Sequence, residues 1–132
     1  MKFIFEPEES ESIFYNALCN GLSDFNSHGI QLNYIPDEYK AARELLKASL
    51  GENAEVCYED VLMQILRSGG SLKVIDIEGE GDQDAEITLK DVHERMAEVS
   101  FKDLSDMLTE NDDAYTADNI LQTIFYEEII YS

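Results

Sequence analysis

Tryptophan is absent from this 132-residue chain, and histidine, cysteine and proline number two each. With only His28 and His93, little imidazole is at hand for a metal site or a general base. With only Cys19 and Cys57, the disulfide framework of a small secreted scaffold is excluded. The segment MKFIFEPEES turns acidic after five residues and lacks the long apolar stretch of a signal peptide. No window approaches the roughly 18 apolar residues of a membrane span. The expectation is therefore a cytoplasmic protein in a reducing compartment, with both thiols serving as small core residues. No repeat or Pro/Gly-rich linker divides the chain, so residues 1–132 read as one domain.

Positive charge is the scarcest property of all. Nine Lys and Arg face 29 Asp and Glu, a formal net charge of 9 − 29 = −20. Such a surface repels phosphate backbones and anionic membranes, which excludes direct nucleic-acid and membrane partners. A basic protein surface is the partner this charge favours, and a merely solvated surface is the alternative. Residues 1–66 carry 12 acids and 4 bases, and residues 67–132 carry 17 and 5, so no acidic tail is set apart. A hydrophobic fraction of 44% argues for a packed globule over a disordered chain.

Apolar spacing places the elements. Met1–Phe5 suits a short strand. Phe14, Leu18, Leu22 and Phe25 mark a helix that His28-Gly29 ends, with His28 in a capping position. Ile30, Leu32 and Tyr34 alternate with Gln31 and Asn33, as in a strand. Pro36 opens a helix running to about Ser49, and Tyr58–Arg67 forms another that Ser68-Gly69-Gly70 stops. Leu72–Ile77 and Ala85–Leu89 read as the two strands of a hairpin. Lys90–Val99 and Phe101–Leu108 read as short helices. Ala117, Ile120, Leu121, Ile124 and Phe125 define the last helix, capped by Asp113 or Thr116, and Ile129–Tyr131 either extends it or adds a strand. The fold class is α+β, with about five helices packed on a small, mostly antiparallel sheet that includes a 72–89 hairpin.

Four patterns bear on chemistry. Acids recur at every second position from Asp76 to Glu86, yet an EF-hand loop begun at Asp76 has Ile87 where a bidentate Glu is required. An acidic hairpin tip explains the run, with a weak calcium or magnesium site as the alternative. His93-Glu94 starts like a zincin motif, but Ala97 stands in place of the second His. A nucleophilic pair of His93 with Cys19 or Cys57 has no local support. Ser68-Gly69-Gly70-Ser71 precedes a strand, the wrong order for a phosphate loop. Tyr126 and Tyr131 beside Glu127 and Glu128 suggest either an acidic aromatic patch or tyrosines at the core edge. No catalytic, cofactor-binding or metal-ligating residue is assigned.

The stretches CYEDVLMQILRSGGSLKVID (57–76), ITLKDVHERM (87–96) and ILQTIFYEEIIY (120–131) carry a resemblance. They resemble a group of small acidic proteins of unassigned function from gut-dwelling anaerobic bacteria, some of them on mobile elements. The resemblance covers roughly the C-terminal half and implies a bacterial, cytoplasmic protein, without transferring any site residue. The sequence thus points to a non-catalytic acidic protein–protein interaction module, and a mobile-element accessory is implied by the resemblance. A DNA mimic that inhibits a nucleic-acid-binding protein is one alternative. A small enzyme or ligand-binding domain with a site assembled in three dimensions is the other.

Overall fold

A computed structural model of the chain describes residues 4–110 and 113–131. Helix α1 spans Pro7–Asn26. Pro7 sits in its first turn with φ already set for a helix, and the Glu6 amide donates to Glu9 Oε1 at 3.0 Å. Ile13, Phe14, Ala17, Leu18, Gly21 and Phe25 recur at helical spacing and are buried. Gly29, at φ +85°, turns the chain into strand β1, Ile30–Tyr34. Then follow α2 (Pro36–Leu50), α3 (Tyr58–Arg67), β2 (Leu72–Asp76), β3 (Ala85–Ile87) and α4 (Leu89–Arg95). A 3₁₀ turn, Met96–Glu98, leads to α5 (Phe101–Leu108) and α6 (Ala114–Tyr126).

Among the described residues these six α-helices pack on one three-stranded antiparallel sheet, ordered β1-β2-β3, as a single α+β domain. The helices number six against the expected five or so, and Ser100 caps α5, its Oγ accepting from the Asp103 amide at 3.2 Å. In the sheet Ile30 faces Asp76, Tyr34 faces Leu72, and Leu72 faces Ile87 on its other side. Ile30, Leu32, Leu72, Val74 and Ile87 are all buried, so one face of the sheet meets the core.

The hairpin lies where the sequence placed it, with shorter strands. β3 stops at Ile87 because Thr88 caps α4, its amide and hydroxyl both reaching Asp91 Oδ2 at 2.9 and 3.3 Å. β2 stops at Asp76, and the Ile77 amide donates to the Gly29 carbonyl at 3.0 Å. The strand expected over Met1–Phe5 falls mostly outside the described residues, and residues 4–6 carry no regular element.

Helix α6 is the centre of the fold. Every residue from Thr116 to Phe125 is buried. α1 crosses it so closely that a Cβ on Gly21 would lie 2.6 Å from Ala117 Cβ. The Phe25 and Phe125 rings meet at 5.4 Å. A helix covered on all sides must satisfy its polar side chains internally. Gln122 does so by holding the C-terminal segment: Oε1 accepts from the Ile130 and Tyr131 amides at 2.9 and 2.8 Å, and Nε2 donates to the Tyr131 carbonyl at 3.1 Å. Glu127, in the left-handed conformation at φ +63°, ends α6. Ile129–Tyr131 therefore neither extends the helix nor forms a strand; the segment docks on Gln122. Among the described residues no helix is long and apolar enough to cross a membrane.

Candidate functional site: a groove beside α2

The acidic run from Asp76 to Glu86 is a turn organised by its own carboxylates. Asp76 is buried, and its Oδ1 and Oδ2 accept from the amides of Gly79 (2.7 Å) and Gln83 (3.0 Å). Asp84 Oδ1 accepts from the Asp76 amide at 2.6 Å. Gly79 is required here, because a Cβ would run into Asp76 Oδ2. Glu80, Asp82 and Glu86 point to solvent, and Glu86 pairs with Lys73 at 3.5 Å. Among the described residues no three His, Cys, Asp or Glu are grouped to hold a metal. Carboxylates that bond to turn amides serve the backbone, as Asx-type turns do.

The histidines have structural surroundings. His28 stands just past α1 and its amide donates to the Phe25 carbonyl at 3.3 Å, while its ring turns to α6. Its Nε2 meets the buried Asp118 carboxylate at 2.8 Å, and its ring stacks on Tyr131 at 4.8 Å. The contact ties the end of α1 to α6 and to the docked C-terminal segment. His93 Nδ1 is buried without a hydrogen-bond partner, and neither cysteine meets it. Tyr126 donates to the Gln83 carbonyl at 2.8 Å and packs edge-on against Tyr131. Burial first, then the Tyr131, Asp76 and Asp84 charges, pushes the Tyr126 phenol up. Tyr126 thus ties the hairpin to the end of α6, and Glu127 faces Arg95 at 3.7 Å.

Both cysteines are exposed, contrary to the expected core positions. Cys19 sits beside Leu18 on α1 but off the buried stripe, and Cys57 is the residue before α3. Tyr15 Oη lies 3.7 Å from Cys57 Sγ. The phenol is held far above its ordinary value, first by the Cys57 hydrogen bond, then by Asp60, burial and Cys19. The turn Ser68–Ser71 is a helix-to-strand connection as expected, with Gly69 at φ +90° and the Gly70 amide donating to the Ile65 carbonyl at 2.9 Å.

The main concave surface has a different origin. α2 is amphipathic, yet of its fifteen residues only Ala42 is buried. It leans mainly on α3, and Leu45 is 50% and Leu50 62% exposed. Beside it a groove of about 760 Å³ opens between α1, α2 and α3. Its apolar lining is Leu46, Leu50, Met63 and Leu89. Its acidic lining is Glu8, Glu11 and Asp60, with Glu11 Oε1 accepting from Arg67 Nε at 2.7 Å. A second concavity of about 630 Å³ adjoins at Asp60 and carries Arg43, Lys47, Glu52 and Glu55.

Charge is distributed unevenly around this surface. Lys40, Arg43 and Lys47 share one side of α2 by their spacing, and none lies within 4.0 Å of a carboxylate among the described residues. Tyr34, Tyr39 and Tyr58 cluster nearby, with ring centroids 4.6 to 6.2 Å apart. Burial pushes the Tyr58 phenol up to about 12. None of these features was assigned from sequence. The only signal was the run of leucines and alanines in α2, which looks the same whether its face is covered or open. No known family model, curated protein or solved structure matches the chain.

Proposed function

We propose that this chain is a non-catalytic, acidic protein–protein interaction module of a bacterial cytoplasm, whose groove beside α2 receives a basic segment of a partner protein. One observation carries the reading: the groove sets exposed Leu50 and half-buried Leu46 beside Glu8, Glu11 and Asp60. An apolar centre with charged flanks is the anatomy of a protein interface. A basic side chain entering the groove finds Glu8 and Asp60, which form no ion pair among the described residues, whereas Glu11 already holds Arg67. The net charge of −20 steers a basic partner towards the surface and makes the association salt-dependent.

The DNA-mimic alternative fits less well. Glu6, Glu8, Glu9 and Glu11 stand at the start of α1, while Asp24 and the hairpin acids stand near its end. A 20-residue helix separates the groups by about 30 Å. The accessible surface is 7537 Å², against roughly 7,000 Å² for an ordinary compact protein of this mass. Acids at two ends of a compact body do not make the continuous row that imitates a phosphate backbone. No histidine is among the described residues lining the groove.

Affinity capture from the native cytoplasm at low and high salt tests the reading, using the wild type and three exposed-site variants. A defined basic partner is expected, bound roughly tenfold more weakly at high salt. Glu8→Lys and Leu50→Lys lose it, and Glu128→Lys, which makes the same charge change far from the groove, keeps it. Equal capture by all four proteins, or recovery of the chain alone, overturns the proposal.

A further inference from the structure

Three side chains from two separate parts of the chain converge on one hydroxyl. Tyr15 and Cys19 are one turn apart on α1, where side chains at i and i+4 are neighbours. Cys57 arrives from the connection into α3 and brings its sulfur to 3.7 Å from Tyr15 Oη. After Cys57, Asp60 and burial, Cys19 also helps to hold this phenol above its ordinary value. Both thiols are exposed, so a small molecule in solution can reach them.

We propose that Cys19 and Cys57 form a reversible dithiol switch, oxidised to an intramolecular disulfide by small-molecule disulfides of the glutathione class. The positions lie 57 − 19 = 38 residues apart, so the bond would staple α1 to the start of α3. Neither thiol is spoken for in the core, and two exposed sulfurs beside one hydroxyl are the arrangement that exchange chemistry needs.

The exchange runs in two balanced steps. The thiolate of Cys57 attacks one sulfur of oxidised glutathione, forming a mixed disulfide and expelling one glutathione thiolate. The thiolate of Cys19 then attacks the Cys57 sulfur, forming the Cys19–Cys57 bond and expelling the second glutathione. Each cysteine loses its proton before attacking, and each departing glutathione takes one up. The protein is oxidised by two electrons and one glutathione disulfide is reduced to two thiols. Desolvation holds the Cys19 thiol above its ordinary value, and exchange begun at either cysteine reaches the same disulfide. Bond formation requires the sulfurs to close to about 2.05 Å, so the Tyr15 hydroxyl must leave its place between them.

The test uses the full chain, incubated with oxidised glutathione and followed by intact mass and thiol counting. The wild type is expected to lose both thiols and two hydrogens of mass, with no glutathione retained, and a dithiol reductant restores it. Cys19→Ser and Cys57→Ser each stop at a mixed disulfide carrying one glutathione. A wild type carrying two glutathiones, a disulfide-linked dimer, or two thiols persisting against excess oxidant overturns the proposal.

Discussion

Replacing Gly21 by alanine sets helix propensity against close packing, and the two have opposite signs. In a helix interior alanine is more favourable than glycine by about 1 kcal/mol. Against this, the new Cβ would lie 2.6 Å from Ala117 Cβ, 2.7 Å from the Ala117 carbonyl carbon and 2.8 Å from the Asp118 amide nitrogen. Carbon atoms prefer about 3.5–4.0 Å, so all three approaches are short by roughly 1 Å. Two of the three atoms are backbone, and the third is an alanine methyl without rotamers. No side chain can swing aside. Nor can α6 retreat, since it is covered from Thr116 to Phe125. Overpacking of this kind costs about 1–3 kcal/mol, and occasionally more. With three simultaneous contacts the upper part of that range applies, and the net loss is about 1–2 kcal/mol. Urea unfolding followed by circular dichroism should show a lower midpoint at unchanged slope. Thermal unfolding should fall by roughly 5 °C. Ser23→Ala, exposed on the same helix, is the reference and should gain a few tenths of a kcal/mol from propensity alone. If Gly21→Ala raises the midpoint as Ser23→Ala does, α1 and α6 do not pack as described.

Two further outcomes follow from the hairpin and the tyrosines. Asp76→Ala leaves the Gly79 and Gln83 amides without their acceptors; each buried unmade bond costs about 1–3 kcal/mol, and water at this turn recovers part, so a loss of about 2 kcal/mol is expected in urea unfolding. Asp76→Asn, which keeps one acceptor oxygen, should lose less, and an unchanged Asp76→Ala midpoint would remove the carboxylate from its organising role. At high pH the buried phenols govern stability. Burial moves Tyr58 from 10.0 up to about 12, and burial is likewise the leading cause of the upward shifts of Tyr39, Tyr126 and Tyr131. Across that window the folded chain keeps protons that the unfolded chain releases, so stability is complete below the ordinary tyrosine value and declines as pH rises through the window. Phenolate absorbance should therefore lag in the folded chain relative to the urea-unfolded chain. Coincident titration curves would mean that these phenols are not buried.

Local spacing made most elements legible, because one face of each had to be covered by neighbours. The stripe Phe14, Leu18, Phe25 and the alternation Ile30, Leu32 are buried as their periodicity requires. Periodicity also carried a signal about Cys19 that a general rule obscured. Cys19 follows Leu18 directly and so lies about 100° round the helix from the buried stripe. The habit of free cysteines to be buried is a property of the residue type, and position on the helix prevailed. α6 was legible as a helix but not as the central one. Asp118 and Gln122 look like a solvated face until His28 and Tyr131, 90 and 9 positions away, supply their partners. The usable hint was charge: from Ala114 to Tyr126 only Asp118 is ionic, in a chain that is 29% charged.

The groove was out of reach of the sequence for a related reason. α2 presents Leu45, Leu46 and Leu50 in a pattern suited to burial, and periodicity states which face is apolar without stating what covers it. Charge behaves in the same way. Acids outnumber bases in both parts of the chain, yet the bases do not neutralise them evenly. Lys90 and Lys102 find Glu94 and Asp106 one helical turn away, because i,i+4 spacing places a partner on their own helix. Arg43 and Lys47 have no acid four residues on, for Lys47 and Gly51 occupy those positions, and among the described residues they form no ion pair beside Glu52 and Glu55. The net charge of −20 describes how the molecule is felt from a distance. Within a Debye length of about 8 Å at physiological salt, a partner meets the local pattern instead: Glu8, Glu11 and Asp60 with the Arg67 partner of Glu11 in the groove, and Arg43 and Lys47 among Glu52 and Glu55 in the adjoining concavity. The strength of binding and its salt dependence therefore follow from which of these carboxylates a basic segment reaches, more than from the total charge.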